Sequence, residues 1–275
     1  MTMTTTRKLG PARHSAALHA AKVKRAAQNE TCSEPGIHTH KPGVAVSAGM
    51  TPRALYRLMT WLSPAFPTGA FSYSSGLEWA VQSGDVTDAE SLRAWLEVIM
   101  REGSGFCNAV FFLHAYRAAA EHDPARLRSV AELALAFAST REKYLETTAQ
   151  GRAFADTVCA AWPCEADADE DLLLNGEIAL PVAVAVACAA HVIPETPALA
   201  CMLQAYAANL ISAGVRLIPL GQIQGQRLLA HIEPLVLATA ERAAAASLDD
   251  LGSIALRADL ASMHHETQYT RLFRS

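Results

Sequence analysis

The residues of this 275-residue chain that could do chemistry fall into four groups. The first is the run from Ser63 to Trp79, Ser-Pro-Ala-Phe-Pro-Thr-Gly-Ala-Phe-Ser-Tyr-Ser-Ser-Gly-Leu-Glu-Trp. Pro64, Pro67 and Gly69 enforce a non-helical turn, small hydroxylated residues follow, and Leu77-Glu78-Trp79 reads as the start of a helix. A phosphate cradle needs several glycines before a helix and a lysine after them, and no lysine stands here. A serine nucleophile needs the Gly-x-Ser-x-Gly elbow, and Ser74-Ser75-Gly76 lacks that frame. The run therefore reads as a tight loop that packs small residues against a neighbouring helix. The second group is Glu142 and Glu146, one helical turn apart, with Arg141 beside them. Paired carboxylates do acid–base work only in a closed pocket that shifts their proton affinity. Without one they form a solvated face or a polar partner-binding face.

The third group holds metal-ligand types: His38-Thr39-His40 near Cys32, Cys159 and Cys164 across Pro163, and His264-His265-Glu266. Imidazole suits nickel, copper and zinc. The cysteine pair has no second pair, as a zinc site would require. Adjacent helical side chains diverge by about 100°, so His264 and His265 cannot close on one ion. No permanent metal site or bound cofactor is expected. His264 and His265 stand as weak, transient candidates, strengthened only if a two-fold axis doubled them. The fourth group is the tail, where Tyr269, Leu272 and Phe273 alternate with Arg271 and Arg274. Aromatics and arginine anchor interfaces because they desolvate a large area and keep directional polar contacts. Such a tail either docks on a partner or folds back on its own core.

The elements that must position these residues are helices. Leu92, Trp95, Leu96 and Ile99 recur at helical spacing, as do Leu199, Met202, Leu203, Tyr206, Leu210 and Ile211, and again Leu228, Ile232, Leu235 and Val236. Thr87-Asp88-Ala89-Glu90 has the form of a capping box, and Asp123-Pro124 places a cap before a first-turn proline. Breaks are expected between Arg216 and Gly221, and a kink or break at Pro234. No strand-like alternation bounded by hairpin turns is present. The pattern predicts an all-α globular bundle of roughly eight to eleven helices.

Residues 1–50 differ from the rest. Arg7, Lys8, Arg13, Lys22, Lys24, Arg25 and Lys41 face only Glu30 and Glu34, and no apolar period is sustained. This segment is expected to be a disordered basic arm, followed by a single all-α domain over 51–275. With the arm's charge set aside, the body is acidic, which argues against nucleic acid. Val182 to Ala190 is the longest apolar run and is shorter than the about 20 residues a spanning helix needs. It reads as a core helix, with no membrane partner. The arm lacks the apolar stretch of a secretory signal. Six cysteines in a chain of this kind read as reduced thiols in a cytoplasm.

Several of these blocks, in order, closely resemble the urease accessory protein F family. They are Ser63-Pro64 through Gly76-Leu77-Glu78, Arg141-Glu142 with Gln150-Gly151, Arg216-Leu217-Ile218-Pro219-Leu220-Gly221-Gln222, Gly225-Gln226-Arg227-Leu228-Leu229, and His265-Glu266-Thr267-Gln268-Tyr269 with Arg271-Leu272-Phe273. The resemblance runs from about Leu55 to Ser275 and leaves the arm outside. It implies a dimer-forming, non-enzymatic scaffold for inserting nickel into urease. The implied partners are a β-rich accessory protein (D or H), a P-loop GTPase accessory protein (G) and apo-urease. On that footing Gln268, Tyr269, Arg271, Leu272 and Phe273 are candidates for docking in trans on D/H. Ser72, Tyr73, Ser75, Gly76 and Glu78 are candidates for a shared or GTPase-facing surface. Nickel would be handled by the complex. The rival class is a small-molecule enzyme with Glu78, Glu142 or Glu146 as general base.

Limited proteolysis should remove the arm first and leave a stable fragment starting near Thr51. Protection of the arm would count against it.

Overall fold

A computed structural model of the chain describes residues 49–163 and 176–275. The helices are α1 (Pro52–Trp61), α2 (Leu77–Gln82), α3 (Ala89–Glu102), α4 (Ser104–Ala120) and α5 (Pro124–Ala136), then α6 (Arg141–Ala161), α7 (Leu180–Ala190), α8 (Glu195–Leu217), α9 (Gln222–Ala244) and α10 (Leu256–His265). Short 3-10 turns stand at Ala70–Ser72 and Leu248–Asp250, and no strand occurs among the described residues. Residues 1–48 of the arm, with Cys32, His38 and His40, and also Cys164, lie outside the described residues.

The centre is α4 against α7. Both are apolar almost all round, the mark of a helix with neighbours on every side. In α4, Ala109, Val110, Phe112 and Ala115 are fully buried; in α7 the whole stretch from Pro181 to Cys188 is buried. Around this pair pack α5, α6, α8 and α9, and α3 closes on α9. The helix α8 is long and apolar enough to cross a bilayer by composition, but Leu199, Leu203, Ala207, Leu210 and Ala213 bury its inner face against its neighbours. The helix α10 lies across α2 and α6, and this crossing builds the site.

Local signals mostly act where the sequence put them. Asp123 caps α5, accepting from the amide of Arg126, and Pro124 opens the helix. The expected capping box moves by one residue. Asp88 is the cap and Ser91 its partner, because the carboxylate of Asp88 takes the Ser91 amide at 2.9 Å. The break near Pro219 is present between α8 and α9. Pro234 does not break α9, which runs on to Ala244. The proline sits on an exposed face, so water can satisfy the carbonyl that loses its amide.

Close helix crossings depend on missing side chains. At Gly151 in α6 a Cβ would stand 2.0 Å from the carbonyl oxygen of Ile178. The same crossing is tied by the amide of Leu180 donating to Thr147 Oγ1 at 3.1 Å. Both partners are backbone, so neither side can give way cheaply. Gly151→Ala should lower unfolding stability by roughly 1–3 kcal/mol or more, through overpacking. A thermal melt of the variant reads this directly. An unchanged midpoint would mean that the 178–180 segment moves freely.

Candidate functional site

The Ser63–Trp79 run folds as a loop between α1 and α2. Gly69 turns it with φ 75° into the 3-10 turn Ala70–Ser72. Ser75 (φ 52°) and Gly76 (φ 83°) then place two successive residues in the left-handed region. Strain of this kind persists only where surroundings impose it. Here Ser75 Oγ donates to both carboxylate oxygens of Glu146 at 3.0 and 3.1 Å. Gly76 is required twice over, since a Cβ would also meet the backbone nitrogen of Ser262 at 2.6 Å. That contact seats α2 on α10.

Three buried carboxylates converge on this seat. Glu78, in the first turn of α2, accepts from the amides of Leu272 at 2.6 Å and Phe273 at 2.9 Å. Its Oε2 also faces His265 Nε2 at 3.1 Å. Glu142 Oε2 faces His265 Nδ1 at 2.7 Å, and its Oε1 accepts from Arg271 at 2.9 Å. Glu146 accepts from Ser75, from Gln150 at 3.3 Å and from Ser275 Oγ at 2.7 Å. All three acids are buried, and His265 is completely so. Burial pushes the Glu146 carboxyl up from its ordinary value, and hydrogen bonds from Ser275 and Ser75 pull against that. An acid raised in this way weighs against folding once pH passes above its unfolded value, and the penalty lifts on acidification.

The tail is therefore a folded strap. Ser74 donates from both its amide and Oγ to the carbonyl of Ser275, and Arg274 N donates to Ser72 O at 2.8 Å. Expecting a tail free to dock in trans needs correction: Phe273, Gln268 and Ser275 are buried in the chain itself. Tyr269 and Leu272 are not, being 102 % and 68 % exposed. The split has a simple cause. Two tail amides must reach Glu78, which turns neighbouring side chains in opposite directions. Of the candidates drawn from the sequence, Tyr73, Ser75, Gly76, Glu78, Gln268 and Phe273 are interior, and Ser72 is half-buried with its carbonyl taken. Tyr269, Arg271 and Leu272 reach solvent.

His264 and His265 diverge as a helix requires. His264 turns outward and stacks on Trp79, with centroids 5.0 Å apart. Both nitrogens of His265 face carboxylates, so neither is open to an ion. No group of three or more histidines, cysteines or acids has the geometry of a metal site among the described residues. Cys107, Cys188 and Cys201 are free thiols, and burial raises all three.

Behind Ser75 and Glu146 lies a cavity of about 340 Å³, walled by Trp61, Phe154, Met202 and Tyr206. Two acids line it: Glu146, and Asp259, which is paired with Lys143; Glu78 and Glu142 spend their oxygens on the tail and His265.

Two features went unread in the sequence. Arg216, at the end of α8, lies between the rings of Phe71 (3.8 Å) and Phe273 (4.3 Å) and donates to Phe71 O at 2.9 Å. Leu256, Leu260 and Met263 form an exposed stripe on α10. Their spacing of four and three was legible; that no helix covers them was not.

A family model described as UreF matches residues 86–233. A urease accessory protein UreF of Rhodopseudomonas palustris (strain BisB5) is 59% identical over 222 residues, covering 81% of this chain and 91% of that protein. One from Bradyrhizobium sp. (strain ORS 278) is 56% identical over 231 residues, covering 84% and 96%.

Deleting Gln268 to Ser275 would strip donors from three buried acids. Removing one side of a buried ionic contact costs about 3–5 kcal/mol. The truncated chain should keep its helical circular dichroism but melt on the order of 10 °C lower. An unchanged melting point would mean that the strap contributes nothing to the fold.

Proposed function

The chain belongs to the UreF family of urease accessory proteins, and we propose that it serves urease maturation as a non-catalytic scaffold for nickel insertion. It works in the cytoplasm as a homodimer. It binds accessory protein D/H, and the pair recruits the GTPase accessory protein G, which brings nickel to apo-urease. Nickel in this reading is cargo of the complex and has no resident site in the chain.

One observation carries the reading: a tail held by buried acids that still leaves Tyr269 and Leu272 in water. Large apolar side chains on a fixed backbone lose little conformational freedom on binding, which favours affinity. Leu256, Leu260 and Met263 on α10 are exposed as well, so helix and tail both offer apolar surface. This face is the D/H contact. The buried candidates act beneath it: Glu78, Ser75 and Gly76 hold the loop and tail in the shape that partners read.

The competing enzymatic reading is supported by Glu146 alone, through its raised proton affinity beside a cavity. It requires the carboxyl for turnover, whereas the scaffold requires only its shape.

The test is a reconstitution with purified D/H, G, nickel and apo-urease. Tyr269→Ser with Leu272→Ser should weaken D/H association tenfold or more while leaving the melting point within about 1 °C, since neither side chain packs in the core. Unaltered association would remove the tail face from the D/H contact. Urease activation that survives Glu146→Gln fits the scaffold, and its abolition with assembly intact would favour the enzyme.

A further inference from the structure

His265 is fully buried at the end of α10, and each of its ring nitrogens meets a carboxylate oxygen. Nδ1 lies 2.7 Å from Glu142 Oε2, and Nε2 lies 3.1 Å from Glu78 Oε2. A neutral imidazole carries a single N–H, so it donates to only one of the two. Its bare nitrogen would then hold a lone pair against the lone pairs of an acid at hydrogen-bonding distance. Two donated bonds require the imidazolium.

The groups around the ring fix the charge count. Glu78 comes from α2, Glu142 from α6, and Arg271 from the tail, where it pairs with Glu142 Oε1 at 2.9 Å. Elsewhere on α6, Lys143 is taken by Asp259 of α10, and Glu146 accepts from Ser75, Gln150 and Ser275. His264, the neighbour on α10, stacks on Trp79 instead. With the ring charged, two cations answer two acids. With the ring neutral, one buried carboxylate loses its counter-charge, which is costly. Both acids take their other bonds as acceptors, Glu78 from the amides of Leu272 and Phe273 and Glu142 from Arg271, so the proton between them belongs to the ring.

We propose that His265 is a proton-operated clasp: its imidazolium ties α2, α6 and α10 together beneath the tail, and loss of that proton in alkaline solution loosens the tail. The bare nitrogen repels either Glu78 or Glu142, and each of these acids carries a tail anchor. The clasp therefore holds while the ring is charged and opens as pH rises past its deprotonation. Tyr269 and Leu272 ride on the segment it holds, so the proton governs whether the outward tail face keeps its shape. The effect belongs to the chain alone and needs no partner. Glu146 gives a trend of the same sign, since burial raises its carboxyl and acidification relieves the penalty. A decisive variant must keep Glu146 and remove the need for a charged ring.

Glu142→Gln is that variant. Its side-chain amide donates to Nδ1 while its oxygen still accepts from Arg271, so a neutral ring with Nε2–H on Glu78 is fully satisfied. The test is hydrogen exchange of the full chain at the Leu272 and Phe273 amides, corrected for base catalysis and compared with core amides of α4 and α7. Protection in the wild-type chain should fall about tenfold or more between about pH 6 and pH 9, with the core amides unmoved. In Glu142→Gln it should change by less than about twofold over the same range. A flat wild-type profile, or an equal slope in both chains, overturns the clasp. If Glu142→Gln loosens the tail at every pH, the imidazole nitrogen resonances of the wild-type chain decide, assigned with His264→Gln. Both nitrogens of His265 should be protonated wherever the tail amides are protected. One bare nitrogen under a protected tail overturns the proposal.

Discussion

The site depends on the burial of three acids beside one another. Glu78 comes from α2, while Glu142 and Glu146 stand a turn apart on α6. Gathered without donors, they would repel each other and lose their hydration. Among the described residues their donors come from two places: the turn at Ser75 with Gln150 of α6, and the last eleven residues, from His265 to Ser275. Loop, α6 and tail are therefore parts of one polar assembly. A half-satisfied network of this kind is worse than an apolar core, so its parts order together.

The crossing of α10 over α2 and α6 makes that assembly possible. Gly76 lets the α2 start approach the backbone of Ser262, and Thr140 meets Ser262 Oγ at 2.7 Å on the other side. Lys143 and Asp259 add an ion pair at 2.5 Å between α6 and α10. This places His265, at the end of α10, between two carboxylates with no freedom to turn. The chain then leaves the helix already aimed at Glu78.

Much of the scaffold was legible in the sequence because periodicity reports burial directly. The spacing of Leu92, Leu96 and Ile99, or of Leu228, Ile232 and Leu235, names a buried face without knowledge of what covers it. Capping chemistry is equally local, and it failed only by the one residue between Thr87 and Asp88. The site was harder. Glu142 and Glu146 look like any solvated helix face, since most of their donors stand far away in the chain: His265 and Arg271 for Glu142, Ser75 and Ser275 for Glu146. The tail's composition pointed to anchoring by docking or by folding back; Phe273 folds back, whereas Tyr269 faces out. Sequence cannot choose between these for neighbouring residues, because the choice follows from which backbone amides Glu78 takes. Arg216 was visible only as part of a family block; its two aromatic partners come from opposite ends of the domain.

Glu78 grips the tail by main-chain amides at positions 272 and 273, not by side chains. Any residue with an N–H can fill those bonds, so the grip is indifferent to what Leu272 presents to solvent. It is not indifferent to length. His265 and Ser275 are both pinned, and one added or missing residue between them would carry the amides past the carboxylate. The tail is thus a ruler with an interchangeable outer edge: its length is held by the fold, while its outward chemistry can drift with the partner it meets.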